Sequence, residues 1–169
     1  SNAIYEDLSN DWVNNQIIQS TIISGAQIPL NSKQGSCLII KDNLIEPVLF
    51  GFTFQDGGGT SMKINDCGIN RIKRSGGAIL IFKAYPKMTF NRFINNGTPQ
   101  IGGGESNQML ADGGAISHYS DEDVEFDEDR LMSNTNMNQN RIVPGIMDIQ
   151  NNYFENNSSG DGENFYSHG

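Results

Sequence analysis

The sequence predicts an all-β chain whose short strands stack on one another as the coils of a repeat. Two motifs predict this class, because each occurs twice and the two alternate along the chain. Gly-Gly-Ala-Ile stands at residues 76–79 and again at 113–116, and Phe-x-x-Asn stands at 93–96 and again at 154–157. A single copy is too short to bury a core alone, whereas stacked copies share one.

The Phe-type segments match position by position. Residues 49–57, 88–96 and 149–157 align without gaps, and their apolar positions agree in all three copies. The first copy carries Phe, Asp and Gly where the other two carry Asn. We therefore expect Phe93 and Phe154 to lie above one another inside the stack.

Two kinds of corner are expected between the strands. Asn96 and Asn157 should cap one of them, since Asn tolerates left-handed backbone and bonds to neighbouring amides. The repeated glycines should form the other, because Gly turns tightly without a Cβ clash. Weaker glycine-type copies at 35–38 and 161–165 add a segment at each end of the ladder.

With these motifs the chain resembles a right-handed parallel β-helix of the pectate-lyase-like superfamily. The motif pairing is similar to the repeats of the polymorphic outer-membrane proteins and related bacterial surface proteins. The resemblance covers residues 20–169 and implies a single-stranded solenoid of about four coils with long loop inserts. It implies an extracellular or cell-surface location. It implies no particular activity, since the family includes lyases, hydrolases, adhesins and passenger domains.

The chain divides into three parts. Residues 1–3 read Ser-Asn-Ala, which is typical of the scar left by tag removal. Residues 4–19 form an N-terminal cap, either a short helix within Tyr5 to Gln19 or a strand that covers the first coil. Residues 20–169 form the repeat segment, which we expect to be excised from a longer protein, with exposed coil ends that invite oligomerisation. The candidate helix caps are Asp7, Ser9 and Asp11.

Composition excludes several classes. The net charge of −9 disfavours a nucleic-acid partner, since such partners select basic surfaces. No apolar stretch approaches the ~18 residues that span a bilayer. Cys37 and Cys67 are too few for a disulfide framework. They either form one bridge or, as the favoured reading has it, remain two structural thiols.

Three inserts interrupt the repeat, at residues 57–75, 97–112 and 120–144. Activity is expected there, because loops held by a scaffold commonly carry function. The first two join a Phe-type segment to the next glycine-type segment and should emerge on the same side. The third should leave at a different corner.

The first insert holds the candidate bases of a polysaccharide lyase. Enzymes of the resembled superfamily use Lys or Arg to remove the proton α to a uronate carboxylate beside a calcium ion. The insert is expected to be a long loop, remote from the acidic run of the third insert, so charge balance is favoured over catalysis. The candidates are Lys63, Arg71, Lys73 and Arg74.

A hydrolase would instead need paired carboxylates. Asp112 and Asp161 both precede a glycine, and Ser75 holds the same place one copy earlier. The two Asp residues would stack about one strand spacing apart, ~5 Å. The favoured alternative is that each is a turn residue bonded to its own backbone.

The third insert opens with a dense run of carboxylates. Calcium takes six to eight hard oxygen ligands, and the run could supply them. Its spacing does not match an EF-hand loop, and a solvated acidic loop is the favoured reading. The calcium candidates are Asp121, Asp123, Asp127 and Asp129.

The remaining candidates are single side chains. His118 and His168 have no partner at a motif spacing and are expected to be partly buried or at the surface. Aromatic residues could stack on sugar rings if one face exposed them. They are Trp12, Tyr85, Tyr119, Tyr153 and Tyr166.

The favoured function is a non-catalytic, exported or cell-surface module for adhesion or glycan binding. The alternative is a polysaccharide lyase or glycoside hydrolase, or a fragment of one, acting on acidic polysaccharide. A third reading is an adhesin stabilised by calcium. The expected partner is a polysaccharide or cell-surface glycan, and no cofactor is expected apart from that calcium.

Overall fold

The computed structural model describes residues 11–25, 35–41, 46–66, 69–98, 110–120, 124–126, 147–160 and 162–168. These residues form an all-β structure with a short helical start: a 3₁₀ turn at Trp12–Asn14 and helix α1 at Gln16–Ser20. The first strands are β1 (Ile22–Ser24), β2 (Leu38–Lys41), β3 (Val48–Phe50), β4 (Thr53–Gln55), β5 (Thr60–Asp66), β6 (Ile69–Ser75), β7 (Ile79–Phe82) and β8 (Lys87–Thr89). They are followed by β9 (Arg92–Ile94), β10 (Leu110–Asp112), β11 (Ile116–Tyr119), β12 (Val124–Phe126), β13 (Asp148–Gln150), β14 (Tyr153–Glu155) and β15 (Phe165–His168).

Three sheets are built from successive copies of the repeat. Sheet A has the order β1-β4-β9-β14, sheet B the order β2-β7-β11-β15, and sheet C the order β3-β8-β13. Every pairing within these sheets is parallel. Each sheet therefore takes one strand from each copy in turn, which is what stacked copies of one motif require.

The strand register confirms the position matching made from the sequence. In sheet A, Phe54 pairs with Phe93, and Phe93 with Phe154. In sheet B, the chain of partners runs from Ile79 to Ile116 and on to Phe165. A parallel register places equivalent residues side by side, so one sequence motif produces one column in space.

The three sheets share an inner core of Ile, Phe, Met and Ala side chains. The Phe93 ring stacks on Phe54 at 5.3 Å between centroids and on Phe154 at 4.9 Å. The expected stack of Phe93 and Phe154 is thus confirmed. Phe54 and Phe93 are fully buried, and Phe154 at the last copy is half-buried.

The corners use left-handed backbone at repeated positions. Asn95 and Asn156 have φ angles of 54° and 53°, and Gly113 has a φ of 61°. The glycine corners are therefore as predicted. At the Asn corners the left-handed residue is the first Asn of each pair. Asn96 and Asn157 instead contribute the side-chain bonds to neighbouring amides.

The second glycine of the motif is needed for a close approach between copies. A Cβ built on Gly77 would lie 1.9 Å from the carbonyl oxygen of Gly114. A Cβ on Gly114 would lie 2.1 Å from the carbonyl oxygen of Glu163. Backbone atoms of neighbouring copies meet here, so only Gly fits.

The first insert is a β-hairpin, so the expected long loop was wrong. Strands β5 and β6 pair antiparallel from Thr60 with Ser75 to Asp66 with Ile69. Strand β10 of the second insert pairs parallel with β6, which places the two inserts on the same side as predicted. The third insert follows β11 of sheet B and precedes β13 of sheet C, so it leaves at a different corner as predicted, and its strand β12 pairs antiparallel with β5. These four strands form sheet D, in the order β10-β6-β5-β12.

The hairpin covers the outer face of sheet B and closes a second core. Met62 of β5 packs against Leu80 and Phe82 of β7 and against Tyr119 of β11. These side chains alternate along the strands with those of the inner core, such as Ile81. The two central strands of sheet B, β7 and β11, are consequently buried on both faces, and β7 is apolar throughout, as such a strand requires.

The N-terminal segment contains a one-turn helix, capped by a residue the sequence did not single out. Asn15 accepts hydrogen bonds from the backbone N–H groups of Ile17 and Ile18. Asp11 precedes the 3₁₀ turn without a side-chain cap bond, and Asp7 and Ser9 lie outside the described residues. Within the described part of the chain, no helix has the length and apolarity needed to cross a membrane.

Candidate functional site

A buried polar cluster lies where sheet D meets sheet B. Lys73 Nζ is 2.8 Å from Asp112 Oδ2, and the two side chains are 10% and 4% exposed. The Tyr119 hydroxyl donates to the same carboxylate oxygen at 3.3 Å. Ser75 Oγ lies 2.7 Å from that hydroxyl. The cluster therefore joins β6, β10 and β11 through side chains.

Strand alternation brings these residues together. Lys73 and Ser75 are two apart on β6 and so point to one face, while Arg74 points to the other. The register pairs Asp112 with Ser75 at the end of β10. Tyr119 ends β11 on the outer face of sheet B, beneath the hairpin.

The Asp112 carboxylate is an ion-pair partner, so the favoured reading as a turn residue bonded to its own backbone was wrong. The neighbouring Ser117 hydroxyl makes the turn contacts in its place. It donates to the carbonyl of Asp112 at 3.0 Å and accepts from the N–H of Gly76 at 2.9 Å. Asp112 is thereby left to balance the buried ammonium, as a buried cation requires.

Arg74 is fully buried on the other face of β6. Its Nη1 donates to the carbonyls of Gly58 at 3.2 Å and Gly59 at 2.9 Å. Burial lowers the pKa of Arg74 from its ordinary value. The guanidinium thus fixes the entry into the hairpin, and it is enclosed away from any polymeric substrate.

The other candidate bases lie on the same hairpin. Lys63 is a β5 residue opposite Ile72, and Arg71 is a β6 residue opposite Ile64. Pairing of β12 with β5 places Glu125 opposite Lys63. Residues 124–126 of the acidic third insert therefore lie beside strand β5 of the basic first insert, contrary to the expected separation.

Most carboxylates that were predicted to form a hydrolase pair or a calcium site lie outside the described residues. Asp161 lies outside the described residues, so its pairing with Asp112 stays a prediction. Among the described residues, no three His, Cys, Asp or Glu side chains are grouped as a metal site would need. The calcium candidates Asp121, Asp123, Asp127 and Asp129 lie outside the described residues.

His118 is buried in the inner face of sheet B, more deeply than the expected partly buried or surface position. It is 5% exposed and stands in register with Ile81 and Ser167. Its Nδ1 shares a hydrogen bond with Ser167 Oγ at 3.3 Å, and the Tyr85 ring lies 5.4 Å away. Burial lowers the pKa of His118, against a smaller opposing effect of the Ala84 backbone.

Cys37 is a free thiol in the described part of the chain. Burial raises the pKa of Cys37 to about 11. A thiol that holds its proton this firmly is a poor nucleophile at neutral pH. Cys67 lies outside the described residues.

The aromatic candidates for sugar stacking differ in burial and in their location in the fold. Tyr119 is fully buried, and Trp12 meets the Phe90 ring edge-on at 5.4 Å. Tyr153 is half-buried on the outer face of sheet A, and the guanidinium of Arg92 lies 6.0 Å from its ring centre. Of these three, Tyr153 is the one on the outer face of sheet A.

Sequence reasoning missed the buried cluster as a unit. It named Lys73, Asp112, Ser75 and Tyr119 separately, and it assigned them to different roles. A usable signal was the alternation in β6, where two polar residues two apart would face a neighbouring sheet. That signal required reading the insert as strands.

No protein-family model, curated protein or solved structure matches this chain. Its function is therefore argued from the geometry of its own residues.

Proposed function

We propose that the chain is a segment of a right-handed parallel β-helix that serves as a non-catalytic, exported or cell-surface module for adhesion or glycan binding. Three parallel sheets support the β-helix, because the chain passes from sheet A to sheet B to sheet C and back to sheet A. Each pass adds one strand to each sheet, as a solenoid does.

The buried Lys73–Asp112 pair is the observation that carries the non-catalytic reading. A lyase base must reach the proton that it removes from the substrate. Here the ammonium faces the carboxylate in an enclosed space and is at most 10% exposed. Arg74 is fully buried as well. Lys73 joins the hairpin to β10 through Asp112, and Arg74 bonds the backbone at Gly58 and Gly59 where the hairpin begins.

The outer face of sheet A is the surface best suited to a glycan. It presents Arg92 beside Tyr153, and Gln55 and Glu155 lie on the same face. An aromatic ring flanked by polar side chains offers stacking and hydrogen bonding together. The face is rigid because it belongs to a continuous parallel sheet.

Two assays test the proposal together. A depolymerisation screen over acidic and neutral polysaccharides, with and without calcium, should yield neither lyase nor hydrolase products. A glycan array should show binding that Tyr153→Ala reduces and that Tyr85→Ala leaves intact, because Tyr85 packs on His118 at another corner. Measured cleavage of any polysaccharide would sink the non-catalytic reading.

An acidic-polysaccharide lyase is the second candidate, favoured by one observation. The pairing of β12 with β5 places Glu125 of the third insert opposite Lys63. A lyase of this kind would use calcium bound by the acidic run and a basic residue on the hairpin. Calcium-dependent cleavage abolished by Lys63→Ala would select this candidate. A calcium-dependent rise in melting temperature without cleavage would select the calcium-stabilised adhesin.

A further inference from the structure

A lysine amine and a carboxyl group are held in contact at the junction of two inserts. Lys73 Nζ lies 2.8 Å from Asp112 Oδ2, and the two side chains are only 10% and 4% exposed. Their strands, β6 and β10, are neighbours in a parallel pairing that places Asp112 opposite Ser75, two residues beyond Lys73. The sheet register therefore fixes the position of one group against the other.

These two groups are the reactants of amide formation. In water they do not condense, because the ammonium has no free lone pair and the carboxylate is a poor electrophile. An enclosed site weakens this protection, since both charges lose the hydration that stabilises them. Transfer of a proton from Nζ to Oδ2 then gives a neutral amine beside a carboxylic acid. Permanent contact also makes the encounter intramolecular, which is worth a large effective concentration.

The Tyr119 hydroxyl is placed to assist the departure of an oxygen atom from Asp112. It donates to Oδ2 at 3.3 Å, and Ser75 Oγ lies 2.7 Å from the same hydroxyl. Tyr119 and Ser75 are both fully buried and lie on different strands, so packing holds the hydroxyls in place. A positioned hydrogen-bond donor stabilises the negative charge that develops on an oxygen as its bond to carbon breaks.

We propose that Lys73 and Asp112 join spontaneously in an intramolecular amide bond, with the Tyr119 hydroxyl as the catalytic proton donor. Nζ attacks Cγ of Asp112, the Cγ–Oδ2 bond breaks, and Oδ2 leaves as water with two of the three protons of the ammonium. One of these protons passes through the Tyr119 hydroxyl. An ammonium and a carboxylate thus become one neutral amide and one water, without any oxidant, metal or cofactor. The bond does not rest on the proposed glycan binding.

The amide would close a covalent loop around one whole pass of the repeat. Between Lys73 and Asp112 the chain forms β7, β8 and β9, which belong to sheets B, C and A. A cross-link restricts the unfolded chain and so favours the folded one. The hairpin would then be fastened to the repeat permanently, whereas an ion pair alone is reversible.

A second pair of a lysine and a carboxylate supplies a matched control. Lys87 Nζ lies 3.4 Å from Glu46 Oε2, but these two side chains are 51% and 56% exposed. Water stabilises both charges at such a surface pair. We expect it to remain ionic, so the comparison tests enclosure and not proximity alone.

The intact mass of the denatured protein is the first test. We expect the unsubstituted protein to be lighter than its sequence by one molecule of water. Lys73→Met should have the full mass of its own sequence, because it lacks the amine. The full sequence mass for the unsubstituted protein, after prolonged incubation at neutral pH, would overturn the proposal.

Tryptic mapping locates the bond. Trypsin does not cleave after a lysine whose Nζ is an amide, so residues 72–74 should stay intact and be joined to residues 93–130. Residues 42–63 and 84–87, which carry the control pair, should be recovered separately. Water is also lost when an Asp side chain cyclises onto the N–H of a following Gly, as at Asp112 and Gly113. That route would leave residues 72–74 and 93–130 unjoined, and this outcome would also overturn the proposal.

Tyr119→Phe separates the chemistry from the packing. It keeps the ring in the second core but removes the hydroxyl. After a short pulse of cell-free synthesis, the linked fraction should rise at least about tenfold more slowly than in the unsubstituted protein. Met62→Leu changes the packing against the same ring and should leave the rate nearly unchanged. An unchanged rate in Tyr119→Phe, or equal slowing by the two variants, would overturn the role of Tyr119 as proton donor.

Discussion

Lys73 Nζ lies 2.8 Å from Asp112 Oδ2, across two strands that belong to different inserts of the repeat. Neither residue takes part in the motif that defines the repeat. The contact nevertheless decides how the hairpin lies, because it anchors sheet D to the ends of sheet B through Tyr119 and Ser75. A charged pair enclosed in this way supports a structural role.

Replacing Asp112 with Asn should destabilise the protein strongly. The variant keeps the shape of the side chain but removes the negative charge that faces the buried ammonium of Lys73 at 2.8 Å. Breaking a buried pair from one side costs about 3–5 kcal/mol. We expect a loss of about 3 kcal/mol in the free energy of unfolding, measured by urea denaturation.

The double variant supplies the control. Lys73→Met alone should also destabilise the protein, because it removes the ammonium that balances the buried carboxylate of Asp112. Lys73→Met with Asp112→Asn should lose less than the sum of the two single variants, since no uncompensated charge remains. Additive losses would contradict a direct interaction between these side chains.

Asn96→Asp should be costly although the side chain keeps its size. Asn96 Nδ2 donates to the carbonyl of Phe54 and to Asn157 Oδ1, each at 3.0 Å. A carboxylate would face these two acceptors with no proton to donate, in a site that is 1% exposed. We expect a loss of at least about 2 kcal/mol in the free energy of unfolding.

The neighbouring Asn95 provides the matched control. It is exposed and has a φ of 54°, which Asp tolerates nearly as well as Asn. Asn95→Asp should therefore change stability by no more than about 0.5 kcal/mol. Equal effects at the two positions would contradict a contribution of the Asn96 side-chain hydrogen bonds to stability.

Gly77→Ala should prevent the close approach of two copies. Its Cβ would meet the backbone carbonyl of Gly114 at 1.9 Å, a contact that no rotamer change relieves. We expect a loss of ~4 kcal/mol or more, or failure to fold, read by circular dichroism and urea denaturation. Gly51→Asn should be mild, because Asn tolerates the φ of 75° and the nearest atom to a Cβ is 3.8 Å away.

Stability should depend on pH through His118. Burial lowers the pKa of His118 in the folded protein, so the unfolded chain binds this proton more tightly. The contribution of neutral His118 to the free energy of unfolding is therefore fully present above the unfolded pKa of about 6.5, and it is lost as the pH falls below that value. Urea midpoints at pH 7 and pH 5 should differ more for the natural protein than for His118→Val. An unchanged difference would exclude His118 as the source.

The repeat made much of the fold predictable. Residues 88–96 align with 149–157 without gaps, and this alignment predicted that Phe93 pairs with Phe154. Parallel strands place such equivalent positions side by side. The glycine corners followed from the same alignment. Position matching could not tell which Asn of each pair would be left-handed, since Asn is suited both to left-handed backbone and to side-chain bonding.

The inserts were predicted less well, and Lys73 illustrates the reason. The sequence of β6 alternates polar and apolar residues only in part, and the described residues contain no second copy of the hairpin that could reveal a register. Its neighbours come from residues 110–112 and 124–126, so pairing depends on contacts between segments far apart in the chain.

By itself, the sequence determined the matched positions of the repeat, the columns of Phe and Asn, and the positions where only Gly fits. Local backbone preferences and a repeated pattern are sufficient for these features. Tertiary structure alone decided that the hairpin covers sheet B and that Lys73, Asp112 and Tyr119 meet in a buried cluster. The physical reason is that burial and charge pairing depend on which surfaces come into contact, and residue identity does not specify that contact.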